Sequence, residues 1–239
     1  MNILALDTAS TTCNLGIQVG RILHVRSVLN ARQHSASILQ AIEDLQIEAG
    51  ITIYQLDRIV WNAGPGSFTG LRISASVCQA LSYSLQIPVL PVSSLEALAC
   101  SVLSGLPVSI EDVCIAVAID ARMGSFYWAN FVFKQGNLVR LTEDRLVEAA
   151  DLASLRQGCL NDGRKWILSG DGWALVENTV IADEYFYVPD VSAGLEAIMA
   201  LARQAAESDW STEAQQCVPR YLHQATHWKK RQLKASSKS

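Results

Sequence analysis

Hydrophobic and polar positions change period several times along the chain, and each change predicts an element. "NILALD" is a short apolar run closed by an acid; "CNLGIQVG" and "ILHVRSVL" follow at hairpin distance, which predicts three consecutive strands. The spacing then becomes helical. In "HSASILQAIEDLQIEAG" the residues Ile38, Ile42, Leu45 and Ala49 step along one face, and Gly50 supplies the stop. "DRIVWNA" predicts a buried strand, Ser67 to Gln86 a helix, "PVLPV" a strand and "SLEALACSVL" a further helix. Ser93, followed three residues on by Glu96, has the pattern of a capping box.

The second half repeats the first. "AVAID", ending at Asp120, echoes "LALD", ending at Asp7, and "GSFYWANFVF" and "NLVRLTE" supply two more strands in hairpin order. "WILSGDGW" reads as a later strand and turn, "VSAGLEAIMALARQAAES" as a closing helix, and "VPRYLHQATHWKK" as an ordered return into a tail. These patterns imply an α/β chain made of two copies of one β-β-β-α-β-α unit, the second trimmed. The expected division is an N-terminal lobe over 1–106, a C-terminal lobe over 107–217, joined near 104–112, and a basic tail over 218–239.

Composition fits a compact chain: 50% of the 239 residues are hydrophobic and 18% charged. No apolar run approaches the roughly 20 residues of a membrane span, and the N-terminus lacks the basic region of a secretion signal. Six cysteines without a CxxC pair read as reduced thiols of a cytoplasmic protein. Charge is uneven. The net value is −4, yet no acid follows Glu213, while Arg220, Lys229, Lys230, Arg231, Lys234 and Lys238 do. An acidic body with a basic tail suits an anionic partner, with a solvated terminus as the plain alternative. His34 has Ile38 four residues on and offers no metal pair. His223 and His227 have the spacing of a pair, but no third ligand stands nearby. No nucleophile, base and orienting acid can be placed together, so the expectation is no catalytic residue, no metal and no cofactor.

The stretch Gly64-Pro-Gly-Ser-Phe-Thr-Gly70 misses three catalytic motifs. A phosphate loop would need Lys in place of Leu71, a dinucleotide fingerprint would need its third glycine earlier, and a nucleophile elbow would need glycines where Pro65 and Thr69 stand. Pro65 and Gly66 instead allow a sharp exit from a strand, and Ser67 suits a helix N-cap. The helix that follows has a small row, Gly70, Ser74, Cys78 and Ser82, beside an apolar row, Ile73, Val77, Leu81 and Leu85. The apolar row is expected on the sheet, leaving the small row for a second helix to approach closely. Phosphate binding at the helix N-terminus is the rival use, and a helix packed only within its own lobe is the plain alternative.

Duplicated lobes with an Asp ending the first strand resemble the actin, sugar-kinase and Hsp70 ATPase superfamily, in which that hairpin cradles a phosphate. The resemblance makes Asp7 and Asp120 candidate nucleotide contacts; an Asp that caps its own hairpin turn is the competing reading. More narrowly, "LALDTA", "GPGSFTGLRI", "IPVLPVSSLEALA", "AIDARMGSFYWA" and "PRYLHQATHWKK" are together similar to the TsaB (YeaZ) family, whose members are required for threonylcarbamoyladenosine in tRNA. The resemblance implies a non-catalytic scaffold subunit. Its partners would be a TsaD-like catalytic subunit, which modifies N6 of adenosine 37 in ANN-decoding tRNAs, and a TsaE-like ATPase, with a homodimer forming when it is alone. Where TsaD carries two metal-binding histidines, this chain has Ser94 and Leu98, neither of them a useful ligand. The implied interface is Ser35, Leu39, Ile42 and Gln46 on the first helix with Gly70, Ser74, Cys78 and Ser82 on the second. Tyr221, Trp228, Lys229, Lys230 and Arg231 would meet tRNA or the partner. The alternative is a small stand-alone ATPase or kinase.

Overall fold

The computed structural model describes residues 1–29, 35–105, 112–175, 186–188 and 193–222. It opens with a meander, β1 (Asn2–Asp7), β2 (Thr12–Val19) and β3 (Ile22–Leu29), paired antiparallel. Both faces of β1 are buried, Leu4 and Leu6 on one side and Ile3 and Ala5 on the other, which is why its sequence is one continuous apolar run. Next comes α1 (Ser35–Ala49), ended by Gly50 at φ +67°, then β4 (Arg58–Asn62), parallel to β1. After it stand α2 (Phe68–Leu85), β5 (Val89–Val92) and α3 (Ser94–Ser104).

The second half gives β6 (Val113–Arg122), β7 (Ser125–Lys134), β8 (Asn137–Arg140), a short β9 (Arg145–Glu148) on β7, and α4 (Ala149–Asn161). It continues with β10 (Lys165–Ser169), a tight 3-10 turn at Asp171–Leu175, β11 (Phe186–Val188) and α5 (Leu195–Gln204). Strand order is β3-β2-β1-β4-β5 in one sheet and β8-β7-β6-β10-β11 in the other, so the two match place for place. The duplicated α/β architecture expected from the sequence is therefore the one adopted, with a longer unit: each sheet has a fifth strand followed by a closing helix. Three of these elements were not anticipated: β9, α4 and the three-residue β11. β9 and α4 lie in "EDRLVEAADLASLRQGCLN", where charges and Gly158 interrupt any clean period.

The closing helices are exchanged between the halves. α3 lays Leu95, Leu98 and Val102 against Val113, Ile115 and Val117 of the second sheet, while α5 lays Leu195 and Ile198 against Ile3, Ala5 and Val60 of the first. The order of layers is α1 and α2, first sheet, α5 and α3, second sheet, α4. Neither sheet buries its inner face without the other half's helix. At about 1.5–3 kcal/mol for each large apolar side chain buried, this exchange is a major tie between the halves. Ser93 caps α3 by accepting from the amides of Leu95 and Glu96 (3.1 and 3.4 Å). Glu96 does not complete the box: its carboxylate reaches Arg140 at 3.0 Å instead.

Candidate functional site

The 64–70 loop is built to fit the β1–β2 turn. The Ser67 amide donates to the Ala9 carbonyl at 2.7 Å, and the Thr8 hydroxyl donates to the Gly70 carbonyl at 2.7 Å and contacts Ser74 Oγ at 2.9 Å. A Cβ on Gly66 would stand 2.5 Å from the Ala9 carbonyl oxygen, and one on Gly70 would stand 1.9 Å from that of Thr8. Only glycine permits this approach. Gly64 takes φ +103°, a conformation that favours glycine, and its bond to Pro65 is cis. Ser67 Oγ accepts from the Gly70 amide at 3.3 Å as N-cap. The amides of Ser67 and Gly70 are thus engaged within the chain.

Asp7 lies beneath this turn. Its Oδ1 accepts from the Ala9 amide (2.9 Å) and from Asn62 Nδ2 (3.1 Å); Asn62 Oδ1 accepts in turn from the Gly64 amide (3.0 Å) and the Ser94 hydroxyl (2.7 Å). Asp120 is its counterpart in the second half. It accepts from the Arg122 amide at 2.7 Å and pairs with the Arg122 guanidinium at 3.2 Å, while its own amide donates to Asp171 at 2.9 Å. Each acid accepts from the amide two residues on, the geometry of a turn cap.

Burial pushes Asp7 up to about 6, although both hydrogen bonds pull the other way. Because the folded carboxyl holds its proton more tightly than the unfolded one, its contribution favours folding below about pH 4. That contribution is lost as pH rises through 6. Asp7→Asn keeps an acceptor for both donors. It is expected to flatten this dependence and to stabilise the chain well above pH 6 by about 3 kcal/mol. Urea unfolding on either side of that pH checks this, and equal destabilisation at both would contradict it.

The row Gly70, Ser74, Cys78 and Ser82 faces inward, which corrects its reading as a partner surface. Ser74 and Cys78 are 0% exposed and Ser82 2%; Ser82 Oγ donates to the Ile87 carbonyl at 2.8 Å. The small side chains are needed to seat α2 against its own turn and sheet. Ile42 is likewise in the core, and Gln46 is half-buried with its amide on the Ile42 carbonyl. Ser35 begins α1, its side chain outside the described residues. Leu39 does face outward, 56% exposed.

The outward surface is a different one. Between α1 and α2 runs an open groove of about 570 Å³, lined by Leu39, Phe68, Arg72, Ile73, Ala80 and Leu81 among others. The apolar row does pack on the sheet side as expected: Val77 is in the core with Leu4, Leu6 and Trp61, and Ile73, Leu81 and Leu85 pack against that cluster, with Ile73 and Leu81 half-buried along the groove wall as well. At one end the chain returns across the loop. The Arg220 amide donates to the Ala63 carbonyl at 2.7 Å, and Arg220 lies 3.8 Å from the buried Asp144, which also holds Arg140 and the Ser93 hydroxyl. Tyr221 OH accepts from Arg72 Nε at 3.1 Å, its ring is 5.2 Å from that of Phe68, and the Arg72 guanidinium sits 3.8 Å over Phe68. Tyr221 is therefore bound to the body at the groove's rim. His34, His223, His227, Trp228, Lys229, Lys230 and Arg231 lie outside the described residues.

Sequence reasoning missed Phe68, Arg72 and Asn62. A signal for Arg72 was present, since it is the single charged residue in the 18 of α2. Ser94 is committed to Asn62, and Leu98 is in the core between α3 and the second sheet. Among the described residues no group of three or more His, Cys, Asp or Glu could hold a metal, and no helix is long and apolar enough to cross a membrane. All six cysteines are buried free thiols.

Paired sheets of identical order, exchanged closing helices and an acid capping each first hairpin define a two-lobed actin-like α/β protein. The family described as TsaD: tRNA N6-adenosine threonylcarbamoyltransferase matches residues 27–230. YeaZ from Pseudomonas aeruginosa superposes with a TM-score of 0.78 at 30% identity, covering 92% of this chain and 99% of that one. The tRNA threonylcarbamoyladenosine biosynthesis protein TsaB of Buchnera aphidicola subsp. Schizaphis graminum is 30% identical over 73% of this chain and 80% of its own length. The protein of that name from Escherichia coli is 26% identical over 96% and 98%. The chain belongs to the TsaB (YeaZ) family.

Proposed function

We propose that the chain is a non-catalytic scaffold and activating subunit in threonylcarbamoyladenosine formation on tRNA. It binds a TsaD-type catalytic subunit through the α1–α2 groove, with a TsaE-type ATPase assisting, and pairs with a second copy when alone. The observation that carries this reading is the outward face of α2. Its exposed positions are Phe68, Thr69, Arg72, Ser76, Ala80, Tyr83 and Ser84, with one charge among them, beside an apolar groove. A solvated helix face is normally rich in charge, so this one is composed as an interface. The names of the relatives, which are tRNA threonylcarbamoyladenosine biosynthesis proteins, indicate the pathway. Asp7 and Asp120, the acids a kinase-like activity would use, serve here as turn caps. The basic residues after 228 would meet tRNA phosphates, as the charge asymmetry of the sequence suggests.

Two measurements test the proposal. The chain and its host's TsaD-type subunit should co-elute on a sizing column. Modified adenosine should form in the reconstituted mixture, and only in trace amounts when this chain is left out. Full modification without it would end the scaffold reading.

A further inference from the structure

Arg72 is the single charge on α2, and among the described residues no carboxylate pairs with it. Its surroundings fix it all the same. The guanidinium lies 3.8 Å over Phe68, the Tyr221 ring stands beside that of Phe68 with its centre 6.0 Å from the guanidinium, and Nε donates to the Tyr221 hydroxyl at 3.1 Å. With Nε taken, the fork that remains is the terminal Nη1 and Nη2 pair, which matches a carboxylate held by two parallel hydrogen bonds. A guanidinium stacked in this way loses little freedom when it binds.

We infer that Arg72, set in place by Tyr221, is the charged anchor of the α1–α2 groove, and that it takes a carboxylate carried on an apolar surface of the TsaD-type subunit. This rests on the reading of the groove given above and adds the chemistry of the contact. A nucleic acid does not suit the site, because one cation amid apolar walls cannot neutralise a run of phosphates. A second copy docked α2 to α2 brings two cations together, and α2 has no acid to offset them. Tyr221 is a positioning residue. It reaches the groove because the strap around Arg220 is bonded to Ala63, so the last described stretch of the chain sets the geometry of a side chain on α2.

The test is calorimetric titration of the full-length chain against its host's TsaD-type subunit at low and high salt. Arg72→Ala should weaken binding by about 30-fold or more at low salt, with a flatter salt dependence, since the pair it removes is charged. Tyr221→Phe keeps the ring and loses the acceptor. It should weaken binding several-fold while leaving the salt dependence and the melting temperature as they are. Wild-type affinity and salt dependence in Arg72→Ala would overturn the inference and leave the groove reading standing. Loss of self-association alone, with partner binding intact, would assign the carboxylate to a second copy and overturn it too. No binding by the wild-type chain would remove both readings together.

Discussion

Gly70→Ala is expected to unfold the chain or leave it insoluble, although it adds a single methyl group to a helix. The new Cβ would lie 1.9 Å from the Thr8 carbonyl oxygen, which is backbone and cannot rotate away. Relief requires moving the start of α2 or the β1–β2 turn. Either movement breaks the bonds of the Thr8 hydroxyl to the Gly70 carbonyl and Ser74, and that of the Ser67 amide to Ala9. The expected cost exceeds about 3 kcal/mol, in the range reserved for core overpacking combined with lost buried hydrogen bonds. Gly158→Ala is the control. It lies inside α4 with nothing within 4 Å of the added carbon, and is expected to gain about 0.5–1 kcal/mol. Ser74→Arg should fail for the same reason as Gly70→Ala, since its site is 0% exposed. Denaturant unfolding of the two glycine variants side by side checks this, and similar midpoints would contradict it.

Ala80→Glu is the opposite case, harmless to the fold and damaging to assembly. Ala80 is exposed on α2 and lines the groove, so the isolated chain should melt within about 0.5 kcal/mol of wild type. In the complex the same carboxylate would be desolvated against apolar walls, away from Arg72. That should lower affinity for the TsaD-type subunit by about 100-fold or more. Sedimentation of the mixture reads it directly. Retained assembly would move the docking surface away from this groove.

Most of the fold was legible because burial writes itself into period. β1 and β4, covered on both faces, read as continuous apolar runs, and α1 showed Ile38, Ile42 and Leu45 at helical spacing. α4 was not legible, since it covers the second sheet with few apolar side chains, among them Leu152 and Leu155, amid charges. The site was harder. The small row and the apolar row of α2 were both visible, but that the small row faces the chain as well is decided by the close approach of the Thr8 carbonyl, far away in sequence, and spacing within one helix carries no record of it. Tyr221 was noticed as part of the tail, whereas its contact with Arg72 depends on the chain returning across the 64–70 loop.

Hydrogen exchange of the chain, with and without its host's TsaD-type subunit, tests the docking claim most directly. Frayed or exposed helical amides slow down when a partner covers them, and those elsewhere keep their rates. The account predicts added protection over residues 37–47 of α1 and 68–83 of α2, with little change along β8 and β9. Protection confined to β3, β8 or β9, with α2 exchanging as it does in the free chain, would contradict it.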